Sequence, residues 1–235
     1  MTTDDTRRRP LEGTVDFTFM YAVHGAFRRD LRRLAAAVEA AQTADTAVRT
    51  GWATFKNQLH VHHTAEDDFL WPPLRAKVTQ PGDVAVLDAM QAEHARLGPL
   101  LSQVDASLAA AGCAGLADNA SMLTAGLAAH MDHEEDDALP LVETHLGPGG
   151  WAAFRKAAGK SQGLKGGAEL FPWMLDGAPA GTSKRVLKAA RGTYRTAIDR
   201  NLPHCFSISR ADLAACMLAL LDDPAAVHRH VCIAN

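Results

Sequence analysis

His62-His63-Thr64-Ala65-Glu66-Asp67 and His130-Met131-Asp132-His133-Glu134-Glu135 are the two stretches that decide the fold of this chain. Each places a glutamate four residues after a histidine, which is the spacing of neighbouring side chains on one face of an α-helix. In both stretches that face continues into apolar residues, so the polar pair lies on the side of the helix that packs inward. Polar groups buried without partners cost several kcal/mol (~2–7), so these pairs require an explanation.

Amphipathic segments of helical period surround both stretches. The segments run over about residues 14–42, from Asp45 to Pro72-Pro73, from Pro81 to about residue 111, and from Gly115 to about residue 146. Each is long enough for a helix of roughly 45 Å, and short turn sequences separate them. The pattern predicts an all-α fold, an antiparallel up-down-up-down four-helix bundle.

A histidine lies on the core-facing side of every one of these helices: His24, His62, His94 and His130. In an antiparallel pair of helices, two residues lie at the same level when the turn falls midway between them. The midpoints of 24 and 62, of 66 and 94, and of 94 and 130 are positions 43, 80 and 112, which are all at turn sequences. Three separate turns therefore predict that four histidines and two glutamates lie at one level of the bundle.

Imidazole and carboxylate together suit borderline metals such as iron, zinc, manganese or copper. Four histidines and two glutamates exceed what one tetrahedral zinc ion uses, so the set favours two metals bridged by the carboxylates. Iron is the preferred identity, with zinc or manganese as the less favoured alternatives. The Glu-x-x-His motif of ferritin-like bundles and the usual zinc-protease motifs do not occur in the sequence.

With these motifs the chain resembles the hemerythrin-like (HHE cation-binding) domains, and in particular their actinobacterial members. The resemblance covers roughly residues 14–146 and includes the string Tyr21–Leu31 and the pattern Glu-Asp-x-x-Leu-x-Pro ending at Pro72. It implies a non-haem di-iron centre that binds dioxygen or reacts with peroxide or nitric oxide. The ligands it implies, with both glutamates bridging, are His24, His62, Glu66, His94, His130 and Glu134.

The sequence departs from the oxygen-carrying hemerythrins at two positions. The first histidine of their third-helix pair is Met90 here, and their last-helix aspartate at +5 is replaced by Glu134 at +4, followed by Glu135. A missing histidine opens a coordination position, which favours redox turnover such as peroxide disproportionation over simple oxygen carriage. The alternatives are an oxygen- or iron-binding, sensing or storage module, an O2-dependent oxygenase acting on an organic substrate, and a structural bundle with zinc or no metal.

Three further residues are candidates for supporting roles. His63 and His133 point partly away from the predicted centre, so they are expected to hydrogen-bond to ligands or to lie at the surface, with additional ligation as the alternative. Tyr21 lies one turn before His24 and could donate a hydrogen bond to an iron-bound oxygen species, with core packing as the alternative.

The composition limits the partners of the chain. Its 235 residues carry a formal charge of -3, which gives no general reason for nucleic-acid binding. No stretch is apolar enough to span a membrane, and no secretion signal follows Arg7-Arg8-Arg9. The four cysteines are Cys113, Cys205, Cys216 and Cys232; their wide separation is typical of reduced thiols. We therefore expect a cytoplasmic protein whose partner is a small molecule.

The chain is expected to divide into three parts. Residues 1–13 form a flexible N-terminus, 14–146 the hemerythrin-like bundle, and 147–235 a helical C-terminal extension. Within the extension we predict a short helix near residues 151–158, a basic helix over 183–200 and a last amphipathic helix over 207–222. The extension carries no convergent chemistry, and the sequence does not indicate an oligomeric state.

Overall fold

The computed structural model of the protein describes residues 13–190, 195–198 and 231–234. Within them the helices are α1 (Thr18–Glu39), α2 (Thr46–Phe69), α3 (Trp71–Arg75), α4 (Pro81–Ala109), α5 (Leu116–His133), α6 (Leu139–Leu141), α7 (Gly147–Leu175) and α8 (Ala180–Ala190). A 3-10 turn covers Ala111–Cys113, and π-helical turns cover Glu134–Ala138 and Val142–Leu146. Two short strands are β1 (Arg195–Ile198) and β2 (Val231–Ala234).

The helix ends follow the local signals in the sequence. The Asp45 carboxylate caps α2 by accepting a hydrogen bond from the backbone N–H of Ala47 at 2.8 Å. Helix α4 begins at Pro81, where the missing N–H costs nothing because the first turn has no acceptor for it. The predicted disturbance at Pro72-Pro73 is confirmed: α2 ends at Phe69, and the two prolines open the short α3.

The chain divides into two compact units. Of the described residues, unit 1 comprises 13–15 and 24–161, and unit 2 comprises 16–23, 162–190, 195–198 and 231–234. Along the chain the last division falls between Ser161 and Gln162. The boundaries expected from the sequence, after residues 13 and 146, remain predictions.

Unit 1 has a continuous apolar core between its long helices. Phe27 of α1 and Phe55 of α2 meet edge to face with ring centroids 5.6 Å apart, and both are fully buried. Other fully buried side chains of this unit are Leu59, Leu70, Leu74, Met90, Leu116, Leu123, Leu127, Met131 and Leu139. Such packing supplies most of the stabilisation of amphipathic helices, which are marginal alone.

Turns at one end of unit 1 meet. Gly112 and Gly115 have φ values of 63° and 73°, a left-handed backbone that glycine adopts without a steric penalty. The Thr43 hydroxyl, in the α1–α2 connection, lies 3.2 Å from the Cys113 sulfur, in the α4–α5 connection. This contact places the α1–α2 connection beside the α4–α5 connection. The up-down-up-down order of the whole bundle remains a prediction.

Unit 2 contains the end of α7, helix α8 and the strand pair. Phe19 and Phe171 pack edge to face at 5.7 Å between ring centroids, and Trp173, Met174 and Val186 are buried. The strands pair antiparallel, with Arg195 opposite Ala234. Within the described residues, none of the helices combines the length and the apolar character that crossing a membrane requires.

The helical prediction for the extension needs correction. The helix expected over 183–200 ends at Ala190, and residues 195–198 form a strand instead. Both strands are rich in β-branched residues, whose stiff side chains favour extended backbone, and this preference prevails over the charge pattern read as helical. Helix α7 runs on to Leu175, well past the short helix expected near 151–158. The helix expected over 207–222 lies outside the described residues.

Candidate metal centre

The structure brings the six residues singled out in the sequence into one buried cluster in unit 1. Helix α1 provides His24, α2 provides His62 and Glu66, α4 provides His94, α5 provides His130, and the following π-helical turn starts with Glu134. His24, Glu66 and Glu134 are completely buried. Polar groups at this depth need partners, because each unpaired one costs about 1–3 kcal/mol.

One part of the cluster, here called the first half, is formed by His24 and His62. Their Nε2 atoms lie 3.2 Å apart, and the rings meet edge to face. Together with carboxylate oxygens of Glu66 and Glu134, their donor atoms all lie within 4.8 Å of one another, which is close enough to bind one metal ion.

The second half is formed by His63, His94 and His130, whose donor nitrogens also lie within 4.8 Å of one another. The Nε2 atoms of His94 and His130 are 3.2 Å apart. The His63 ring stacks on that of His94, with 3.9 Å between centroids. This half therefore has three imidazoles, one more than the first half.

Glu66 and Glu134 lie between the two halves. For Glu66, Oε1 is 3.2 Å from Nε2 of His62, and Oε2 is 3.5 Å from Nε2 of His94. For Glu134, Oε2 is 3.2 Å from Nε2 of His24 and 4.0 Å from Nε2 of His130. Each glutamate thus reaches both halves.

The chemistry of this donor set fits bound cations. All four carboxylate oxygens of Glu66 and Glu134 are buried, and none accepts a hydrogen bond of favourable geometry; the nearest contact of Glu134 is the ion-pair approach of His24 Nε2. Buried carboxylate oxygens that lack donors are rare, and where they occur an ion or a water is the usual explanation. Two cations, one in each half, would satisfy these oxygens and the facing imidazole nitrogens together.

Outer carboxylates hold the far side of three histidine rings. Nδ1 of each ring lies within hydrogen-bond distance of a carboxylate oxygen. The distances are 2.7 Å from His24 to Glu135, 2.9 Å from His94 to Asp67, and 3.0 Å from His130 to Glu93. A ring that donates from Nδ1 leaves Nε2 free for a metal, and carboxylate–histidine–metal chains of this kind are general in metal sites. In all three rings Nε2 is the nitrogen that faces the cluster.

His24 and Glu134 form a strongly coupled pair. Burial alone would lower the pKa of His24, but the Glu134 and Glu135 carboxylates raise it to about 9. Burial likewise opposes ionisation of Glu134, and yet the neighbouring histidines, His24 first, lower its pKa to about 2. Without metal this pair therefore exists as imidazolium and carboxylate at neutral pH.

The pKa values of Glu66, His62 and His63 are shifted in the direction that favours their neutral forms. Burial, and then repulsion from Glu134, raises the pKa of Glu66 well above its usual value. Burial and the neighbouring histidines lower the pKa values of His62 and His63 well below the usual one. Neutral imidazole is the form that binds a metal, so His62 and His63 need no deprotonation on binding.

The structure gives His63 a larger part than the sequence indicated. Consecutive residues of a helix differ by about 100° in direction, so His63 was expected to point partly away from a site that contains His62. The available signal was Met90, which is fully buried at the position where the resemblance leads one to expect a histidine. His133, in contrast, lies outside both groups of donors and hydrogen-bonds to Glu93 at 2.9 Å. Tyr21 belongs to unit 2, and its role remains a prediction.

Fold and site together define a helical domain with a histidine–glutamate cluster that could hold metal. The hemerythrin HHE cation binding domain matches residues 15–142, more than half of the 235-residue chain. The chain therefore belongs to this family, as the resemblance indicated. Comparison with curated proteins and with solved structures found no match.

Proposed function

We propose that this protein is a non-haem di-iron protein that reacts with dioxygen or hydrogen peroxide. The observation that carries the proposal is the position of Glu66 and Glu134, two buried carboxylates without a hydrogen bond of favourable geometry, each within 4.0 Å of imidazole nitrogens of both halves. Such an arrangement suits two cations that share their carboxylate ligands. Mixed imidazole and carboxylate ligation is suited to iron, and membership of a cation-binding family supports the assignment.

Each half would hold one ion. His24 and His62 would bind the first, His63, His94 and His130 the second, and Glu66 and Glu134 both. Two adjacent iron ions supply two one-electron redox couples when bound. The chain contributes the carboxylates that orient the rings and the apolar core that limits the access of water.

Burial of the cluster favours a reaction partner of only a few atoms. The side chains of His62 and His94 are 12% and 6% exposed, and those of Glu66 and Glu134 are inaccessible. Dioxygen, hydrogen peroxide and nitric oxide are small enough for such a site. The first half has one imidazole fewer than the second, and we assign the binding of the small molecule to it.

This assignment changes the interpretation of Met90. The sequence suggested that the missing histidine leaves an open position beside His94. His63, however, shares one group of donors with His94 and His130, so that five imidazoles are divided two and three between the halves. We therefore assign the binding position of the small molecule to the half that contains His24 and His62, and not to the side of His94.

The decisive experiment loads the full-length chain with iron(II) without air and measures iron content, absorption on exposure to air, and oxygen release from peroxide. We expect two irons per chain, a change in absorption on exposure to air, and release of oxygen from peroxide. A stable, reversible spectrum without turnover would instead indicate an oxygen-binding or sensing module. Well under two irons per chain, with the same metal content after His62→Ala, would overturn the di-iron proposal. His60→Ala is the matched control, because His60 is an exposed histidine on the same helix.

A further inference from the structure

The carboxylates of two consecutive glutamates contact opposite sides of the His24 ring. Glu134 approaches Nε2 at 3.2 Å from inside the cluster, and Glu135 approaches Nδ1 at 2.7 Å from the other side. Both glutamates are buried, Glu134 completely and Glu135 to all but 5%. Adjacent residues of a helix do not normally face the same partner, so this arrangement needs a local cause.

The local cause is the π-helical turn that begins at Glu134. There the backbone N–H of Leu139 bonds to the carbonyl of Glu134, five residues back, and the turn is wider than an α-helical one. Within this turn both Glu134 and Glu135 stay inside the unit. Isolated π-turns in helices occur frequently at functional sites.

Arg28 holds Glu135 in place. One guanidinium nitrogen, Nη1, donates to Oε1 of Glu135 at 2.9 Å, and the other, Nη2, donates to Asp132 at 2.8 Å. The planar guanidinium of arginine fixes the positions of two carboxylates better than the flexible lysine side chain does. Oε1 of Glu135 therefore accepts from both His24 and Arg28, and its position is determined from two directions.

We propose that Glu135, held by Arg28, is a positioning residue for His24 and sets the metal affinity of the first half independently of the second. Accepting from Nδ1–H keeps the ring in the tautomer and orientation that present Nε2 to the metal. The second half has its own outer carboxylates, Asp67 and Glu93, on His94 and His130. The proposal rests on the proposed function, because it takes His24 to be a metal ligand.

The test is a stepwise cobalt(II) titration of the full-length chain, followed by visible absorption and by competition with a chelator. Wild-type protein should bind two cobalt ions per chain. In Glu135→Gln, which keeps the side-chain volume, one ion should bind with unchanged affinity and the other about 10–100-fold more weakly. Glu93→Gln is the matched control and should weaken the ion that Glu135→Gln leaves unaffected.

A double-mutant cycle separates positioning from general loosening of the fold. If Glu135 acts through His24, Glu135→Gln should cause no further loss of affinity in a His24→Ala background. Additive losses, or equal weakening of both ions, would overturn the proposal. If Glu135→Gln fails to fold, Arg28→Met tests the same idea, and unchanged binding of both ions to that variant counts against it. Failure of the wild-type chain to bind cobalt at all would refute the proposed function instead.

Discussion

The imidazole of His24 and the carboxylate of Glu134 meet at 3.2 Å, with neither side chain accessible to solvent. At this depth the pair attracts strongly, because the surroundings screen charge far less than water does. The attraction raises the pKa of His24 to about 9 and, in spite of burial, lowers that of Glu134 to about 2. Both groups are also placed to bind the same cation, so proton and metal compete for His24.

Metal binding should therefore release protons. Below pH 9 the His24 ring of the metal-free protein carries a proton that a metal ion must displace. One displaced proton makes apparent affinity rise about tenfold per pH unit over that range. Zinc binding measured by calorimetry between pH 6.5 and 8.5, in buffers of different ionisation enthalpy, should show release of at least one proton. Affinity independent of pH would contradict the coupling of His24 to Glu134.

Glu66 should have opposite effects on stability with and without metal. In the metal-free protein its carboxyl group is buried near Glu134, and its pKa is raised by burial and by that repulsion. A pKa raised on folding means that ionised Glu66 destabilises the fold at neutral pH. Glu66→Gln should consequently raise the melting temperature of the metal-free chain and reduce the increase that metal produces.

The measurement is thermal unfolding at pH 7.5, with a chelator and with excess zinc, of wild type and Glu66→Gln. Asp68→Gln, at an exposed position two residues further along α2, is the control and should change neither value. A melting temperature lowered by Glu66→Gln in the chelated sample would show that the carboxyl group is not repelled there.

Helical periodicity and the positions of the turns predicted that residues far apart in the sequence meet in the site. His24 and His62, thirty-eight residues apart along the chain, meet at 3.2 Å as the turn near position 43 predicts. His63 could not be assigned in the same way, since its position one residue after a ligand indicates another direction on an ideal helix. The strands were missed because residues 195–198 acquire their pairing only from a segment more than thirty residues later. Helical period and helix ends are local properties; contacts across the chain are not.

His63 should matter to one half of the centre only. Its nitrogen lies within 4.8 Å of those of His94 and His130, and its ring stacks on His94. We expect His63→Ala to weaken the metal of the second half by about tenfold or more, because the half loses one of three imidazoles. Competition titrations with cobalt would show this as one weakened ion out of two. The control variant His60→Ala should bind both ions with the affinity of the wild type. If His63→Ala also binds both ions with wild-type affinity, His63 is not a ligand of the centre.

Phe27 should link core packing to the first half of the centre. Its ring is completely buried, meets Phe55 edge to face at 5.6 Å and lies 5.5 Å from the His62 ring. Phe27→Ala should lower the free energy of unfolding of the metal-free protein by about 3–5 kcal/mol, since it leaves a cavity that the neighbouring helices fill only partly. Urea unfolding measures this loss.

The same variant should also weaken the metal held by His24 and His62, because the cavity lets the His62 ring turn, and leave the metal of the second half unchanged. Met122→Ala is the control: Met122 is 47% exposed, so its loss should change the unfolding free energy by about 0.5 kcal/mol or less. Equal weakening of both metals by Phe27→Ala would mean that the aromatic ring supports the bundle as a whole and has no particular effect on His62.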